Sequence, residues 1–289
     1  MEAADSSAGN IFRDWSGHAV IPGYSLSRNR RARCPVSLLT MAERNLCVSA
    51  IILHTRESPG GGKFVSCLSE EQGLLECFLF GGSKSKLRSL VLPWHTGRLY
   101  LYTDAKKSLI KITDFDPNYL FGAVREHYDA IMLANWASEL MITTHGLGGS
   151  GYPVMEELLS AIEQVVTAEK LDTAIVRQLR VLKVAFVLKV LHLSGNFYKT
   201  YACEHCTGTS SENSILYYSP YNVGFVCEAC SDEQSLRVLH HDVDWVFNTA
   251  DKSLMACIRE PEILLRLEAS ILDMLAHILE RPLRTQALL

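Results

Sequence analysis

Two tight cysteine pairs, Cys203-Glu-His-Cys206 and, twenty residues further on, Cys227-Glu-Ala-Cys230, constrain this 289-residue chain more than any other feature. A C-x-x-C turn presents two sulfurs to one side, and two such knuckles complete the tetrahedral set that zinc takes at about 2.3 Å per thiolate. The runs ILYYS and GFV between them supply the two strands of a ribbon. The spacing predicts one structural zinc ion held by Cys203, Cys206, Cys227 and Cys230, with a redox dithiol pair as the competing reading. Four thiolates leave no open position for a reacting water, and no H-x-E sequence accompanies them, so a catalytic zinc is not expected. His205 lies inside the first knuckle, where the fourth thiolate makes it superfluous as a ligand.

The nine cysteines form an odd set, and the other five, Cys34, Cys47, Cys67, Cys77 and Cys257, are scattered. That pattern suits a reducing, intracellular compartment better than a disulfide framework. The most apolar stretch, Ile175 to Leu193, is cut by Arg177, Arg180, Lys183 and Lys189, which excludes a membrane span there. Residues 1–40 hold an arginine cluster at Arg28, Arg30, Arg31 and Arg33 and few apolar residues; they read as a flexible extension, with Met41 as the natural start.

From Asn45 to about Asp116, short apolar runs alternate with turn residues: CVSAIILHT, SPGGGK, FVSCLS, EEQG, LLECFLF, RLYLYTD and SLIKITDFD. About five strands in one domain, 41–116, predict a small barrel of the OB-fold kind, with Leu99 and Leu101 on one face and Tyr100 and Tyr102 on the other. Beyond Asp116 the period becomes helical. Leu120, Val124, Tyr128, Ile131, Leu133 and Leu140 fit one long helix, Pro153 opens a second, and Asp172 is a plausible N-cap for a third ending near Gly195. Pro261 lies near the start of a last helix through Leu264, Leu267, Ile271, Leu275 and Leu279. The expected fold class is therefore α+β and multidomain: the barrel, a helical domain at 117–202, the ribbon at 203–230 inserted in it, and helices at 231–289 that complete it.

Positive charge concentrates where the barrel is expected. Between Lys84 and Lys111, Lys84, Lys86, Arg88, Arg98, Lys106, Lys107 and Lys111 are opposed only by Asp104, while residues 117–289 carry an acidic excess. Trp94, Tyr100 and Tyr102 interleave with these cations, the mixture that neutralises phosphates and stacks bases. The candidate DNA-binding residues are Lys84, Lys86, Arg88, Arg98, Tyr100, Tyr102, Lys106, Lys107 and Lys111. Two glycine motifs read as turns. Gly146, Gly148 and Gly151 spell G-x-G-x-x-G after a helical pattern and not after a strand, and Lys63 of the Gly60–Gly62 hairpin is followed by Phe64, so neither fits a nucleotide loop. His240, His241, Asp242 and Asp244 hold metal-capable atoms, but neighbours on a helix diverge, and solvated or capping roles are expected. No catalytic residue set is recognisable, and no enzyme is expected.

The ordered segments CVSAIILHT, LSEEQGLLECFLFGGSKSK, LRSLVLPW, LHLSGNFYKTYACEHC, YSPYNVGFVCEAC and ERPLRTQALL, together covering about residues 45–289, resemble the bacterial RecO family of recombination mediators. The resemblance implies an N-terminal OB-fold, a helical domain carrying the zinc ribbon, and a bacterial cytoplasmic, nucleoid-associated protein of the RecFOR DNA-repair pathway. It implies binding of single- and double-stranded DNA and strand annealing without nucleotide hydrolysis. Implied partners are RecR, the acidic C-terminal tail of the single-strand-binding protein and, indirectly, RecA and RecF. Carried over by position, the family's basic run falls on Lys84, Lys86 and Arg88. Arg125, Arg177 and Arg180 are candidates for the acidic tail. The chain departs from the family at Thr207, which separates Cys206 from the knuckle glycine at Gly208. A zinc-ribbon scaffold for protein partners is the alternative function.

Overall fold

A computed structural model describes residues 45–82, 85–104, 109–197, 202–208, 216–247, 252–259, 261–279 and 282–285. Five strands come first: β1 (Asn45–Glu57), β2 (Lys63–Ser69), β3 (Gly73–Leu79), β4 (Thr96–Asp104) and β5 (Leu109–Tyr119). They close on themselves in the order β1-β2-β3-β5-β4, β1 pairing with both β2 and β4; every pairing is antiparallel except β3 with β5. Alternation decides what fills the ring. Ala50, Ile52, Val65, Cys67, Leu99 and Leu101 point inward into an apolar core. The larger of these, Ile52, Val65, Leu99 and Leu101, contribute about 1.5–3 kcal/mol each by leaving water.

On one flank the outer wall of the barrel is also buried. Ile51, Leu53 and Leu68 belong to a second and larger core that they share with the helices. The helices are α1 (Lys86–Leu90), α2 (Tyr128–Thr143), α3 (Gly151–Ala168), α4 (Asp172–Leu193), α5 (His240–Phe247), α6 (Leu254–Cys257) and α7 (Pro261–Ile278). The described residues all lie within one compact unit, Glu43–Leu289. Its barrel and helices meet at a glycine seam. A side chain at Gly146, in the α2–α3 connection, would sit 2.4 Å from Leu68 Cδ1, and one at Gly73 would sit 3.3 Å from the Gly149 nitrogen. The G-x-G-x-x-G motif is thus the helix-to-helix connection that the sequence suggests, with Gly146 and Gly148 in left-handed conformation. Among the described residues no helix is long and apolar enough to cross a membrane.

Several expectations need correction. The helix foreseen from Leu120 begins only at Tyr128, because Phe121 takes a left-handed φ of 45° and a 3-10 turn, Gly122–Arg125, intervenes. Leu120 and Tyr128 are consequently exposed. Asp172 is the first helical residue, Leu171 being the cap; its carboxylate still faces the positive end of the helix dipole. Asp242 is not a solvated residue: it is buried in α5 and accepts two hydrogen bonds from Arg266 of α7, at 2.7 Å from Nε and 2.6 Å from the terminal nitrogen. His240 is buried as well, with Nδ1 3.1 Å from Asp244. Helical spacing separated these residues on α5, and the partner that explains Asp242 lies on another helix.

Candidate metal centre and outer barrel face

The cysteine segment folds onto the helices as a three-stranded sheet of order β7-β6-β8, with β6 at Leu216–Ser219, β7 at Gly224–Cys227 and β8 at Leu236–Val238. The first two strands were legible as ILYYS and GFV, whereas β8, only three residues long, was not. Tyr218 on β6 is fully buried in the helical core, and its hydroxyl donates to Asp273 of α7 at 2.6 Å. Burial and that carboxylate both push the Tyr218 phenol well above its ordinary range.

The two knuckles converge. Their four sulfurs all lie within 4.8 Å of one another, with Cys206 and Cys227 at 3.9 Å. A tetrahedron with metal–sulfur bonds of about 2.3 Å has edges of about 3.8 Å, so the donor set suits a divalent ion. Backbone bonds hold the first knuckle in shape: Glu204 N–H donates to Phe225 O at 3.0 Å, Thr207 N–H to Cys203 O at 2.8 Å and Cys203 N–H to Gly208 O at 2.9 Å. Close approach requires Gly224, where a Cβ would sit 2.5 Å from Glu204 Cγ.

Cys203 and Cys230 are shifted in opposite directions. Burial raises Cys203, but the N–H groups of Cys206, Cys227 and His205 and the Cys206 thiol outweigh it and bring Cys203 down to about 6. Cys230 is pushed up to about 12, first by its hydrogen bond with Cys227 and then by loss of solvation and the remaining thiols. Four sulfurs this close cannot all ionise without a cation between them, and a dication removes that repulsion. The cluster can therefore hold a metal ion, and zinc is a plausible one.

Thr207, the departure noted in the sequence, has a strained backbone. Its φ is 58°, a left-handed conformation that costs a β-branched residue about 1–2 kcal/mol. Its hydroxyl offsets part of that by donating to Cys206 O at 2.7 Å. Thr207→Gly is expected to raise stability by about 1 kcal/mol, read as a higher thermal midpoint of the metal-loaded chain. A lower midpoint would show that the hydroxyl contact outweighs the backbone term.

The predicted DNA-binding residues divide. Lys84, Lys106 and Lys107 lie outside the described residues. Lys86 is exposed on α1, and Arg88 beside it pairs with Glu57 and donates to Gly81 O. Arg98, Tyr100 and Tyr102 alternate along the outer face of β4 while Leu99 and Leu101 are buried, as the sequence pattern foretold. Their neighbours differ, however. Arg98 and Tyr100 face Asp116 and Asp114 on β5, whereas Tyr102 faces Lys111, whose ammonium sits 5.6 Å from the Tyr102 ring centre. Trp94 does not join them: it is buried against the helices, donates to Ser138 Oγ at 3.2 Å and lies under the Arg125 guanidinium.

Arg125 also donates to the carbonyls of Leu120 and Pro93, and burial lowers its pKa below the ordinary arginine value. Arg177 and Arg180 on α4 remain about half exposed and pair with Glu262 and Glu268 of α7.

Sequence reasoning missed a row of aromatic and cationic residues on the outer barrel face. Arg56 of β1 is in register with Phe64 of β2, Phe64 with Phe78 of β3, Phe78 with Lys111 of β5, and Lys111 with Tyr102 of β4. Phe80, just past β3, stacks edge-on against Phe78 with centroids 4.5 Å apart. Arg56 lies 5.1 Å from the Phe64 ring centre and Lys111 5.6 Å from that of Phe80. The signal was present: Val65 and Cys67 point inward, so Phe64 must point out. No protein-family model matches the chain, and no curated protein matches it.

Proposed function

We propose that this chain is a DNA-binding recombination mediator of the RecO type, with an OB-fold barrel that meets DNA and one structural zinc ion that braces the helical part. The observation that carries the reading is the outer wall of the barrel, where Tyr102 and Lys111 adjoin and Arg98, Tyr100 and Lys86 are solvent-facing. A closed five-stranded barrel with a single parallel pair supports the OB-fold assignment. The ribbon from Cys203 to Cys230 contains no Lys or Arg, which favours a bracing role for the metal over a DNA contact.

A protein without a fuel can speed annealing only by binding two strands and screening their phosphates from each other. Annealing and binding must then both fall steeply with salt. Loading of RecA with RecR, and recruitment through the acidic tail of the single-strand-binding protein, complete the proposal. Arg177 and Arg180, about half exposed in their pairs with Glu262 and Glu268, offer a tail carboxylate an exchange of one acidic partner for another.

The test is a titration of labelled single-stranded DNA at two salt concentrations, with the native chain and a Lys84→Ala/Lys86→Ala/Arg88→Ala variant. The variant is expected to bind more weakly and to lose about two units of the log–log salt slope, at roughly 0.7 per phosphate contact. Equal binding by the two proteins would move the DNA site off this segment. No binding by either at low salt favours the second reading, a ribbon-bearing scaffold whose acidic helices meet protein partners; the acidic excess of residues 117–289 supports that alternative.

A further inference from the structure

We infer that the row Arg56–Phe64–Phe80–Lys111–Tyr102 is a stacking track for the unpaired bases of single-stranded DNA, distinct from the cations that hold phosphates of either DNA form. The inference rests on the DNA-binding reading above and names what this part of the barrel recognises. Three observations carry it. Arg56, Phe64, Lys111 and Tyr102, on β1, β2, β5 and β4, fall in one register row with Phe78 of β3, and Phe80 just past β3 packs on Phe78, so they form a continuous path across the barrel and not a scatter. The rings at its centre are uncovered: Phe64 is 39% and Phe80 54% exposed, where a sheet that merely packed its aromatics would bury them. Cations alternate with the rings, Arg56 beside Phe64 and Lys111 between Phe80 and Tyr102, which matches a ligand that alternates flat bases with phosphates.

From Phe64 on β2 to Tyr102 on β4 the path crosses three strand spacings, about 14 Å of wall. That length accommodates a few nucleotides, at the short end of the roughly 4–16 that a barrel of this kind holds. Phe78 is the buried footing of the track, packed beneath the hairpin at Gly62, where a Cβ would sit 2.9 Å from its ring. Glu76 lies on the same outer face, whereas Glu57, next to Arg56 on β1, belongs to the alternate row and pairs with Arg88 and Lys63. Duplex DNA has its bases stacked internally and offers the exposed rings no face, so it meets only the cations.

The experiment compares an oligothymidine with a duplex of the same length by fluorescence anisotropy. It uses the full chain, a Phe64→Ala/Phe80→Ala variant and a Phe64→Leu/Phe80→Leu variant that keeps apolar bulk. Both rings are exposed, and thermal melts confirm that the variants fold. The alanine and the leucine variants are each expected to bind the single strand on the order of ten-fold more weakly, with an unchanged salt slope, and to bind duplex within about two-fold of the native chain. Tyr102→Phe, which keeps the ring, is expected to bind as the native chain does. Equal losses on both DNA forms, native affinity in the leucine variant, or no loss on the single strand would each overturn the track while leaving the DNA-binding reading intact. A native chain that binds neither DNA form overturns both.

Discussion

A Cys227→Ser chain is expected to lose its bound metal and to melt well below the native protein, with DNA binding weakened only as a consequence of misfolding. The reasoning starts from the sulfurs. With three thiolates and a hydroxyl, the site loses the charge that makes a tetrathiolate bind a dication, and structural zinc in small ribbons contributes about 10–16 kcal/mol of apparent binding energy. Cys227 ends β7, and its N–H contacts Cys203 Sγ at 3.4 Å, so the same residue joins strand to knuckle. Damage cannot stay local, because Tyr218 on the neighbouring strand is buried in the helical core. Elemental analysis per chain and a thermal melt decide it. A serine variant that retains one equivalent of metal and the native midpoint would refute a structural tetrathiolate site.

The second large effect is expected at the buried ion pair of α5 and α7. Arg266→Leu removes both hydrogen bonds to the enclosed Asp242 carboxylate, which keeps a long 3.5 Å contact with His241 Nδ1. Stranding a buried charge costs about 3–5 kcal/mol, and the lower end applies because the Arg266 side chain is itself half exposed. The Asp242→Asn/Arg266→Leu double variant is expected to recover much of that loss, since no unpaired charge remains. Denaturant unfolding of the two variants measures both quantities. If Arg266→Leu shifts stability by less than roughly 0.5 kcal/mol, as exposed pairs do, the pair is a surface feature and the argument fails.

Legibility followed the range of the interaction. The metal ligands were readable because chelation by C-x-x-C is local, and the wall of β4 was readable because alternation is local too. A small barrel was expected, but the pairing that closes it was not readable, since β3 and β5 join residues more than thirty positions apart with no turn to announce it. The Asp242–Arg266 pair hid for the same reason: adjacent charges on α5 read as solvated until α7 is laid beside them. The phenylalanines of the aromatic row were passed over because Phe64 and Phe78 sit in ordinary apolar runs, FVSCLS and LLECFLF, and only the register of the strands aligns them with Lys111 and Tyr102. Thr207 was noticed as an irregularity in spacing, and its meaning as backbone strain came from its positive φ.

The glycine seam bears on how this protein can be taken apart. Where Gly149 presses against the β2–β3 hairpin, backbone meets backbone, Gly146 makes room for the Leu68 side chain, and Ile51, Leu53 and Leu68 continue the contact into the helical core. A fragment ending after β5 would carry those three greasy side chains into water on one flank and, on the other, the exposed phenylalanines. Such a piece has two sticky sides and no lid, so any dissection that aims at DNA binding is better made by point substitution in the whole chain.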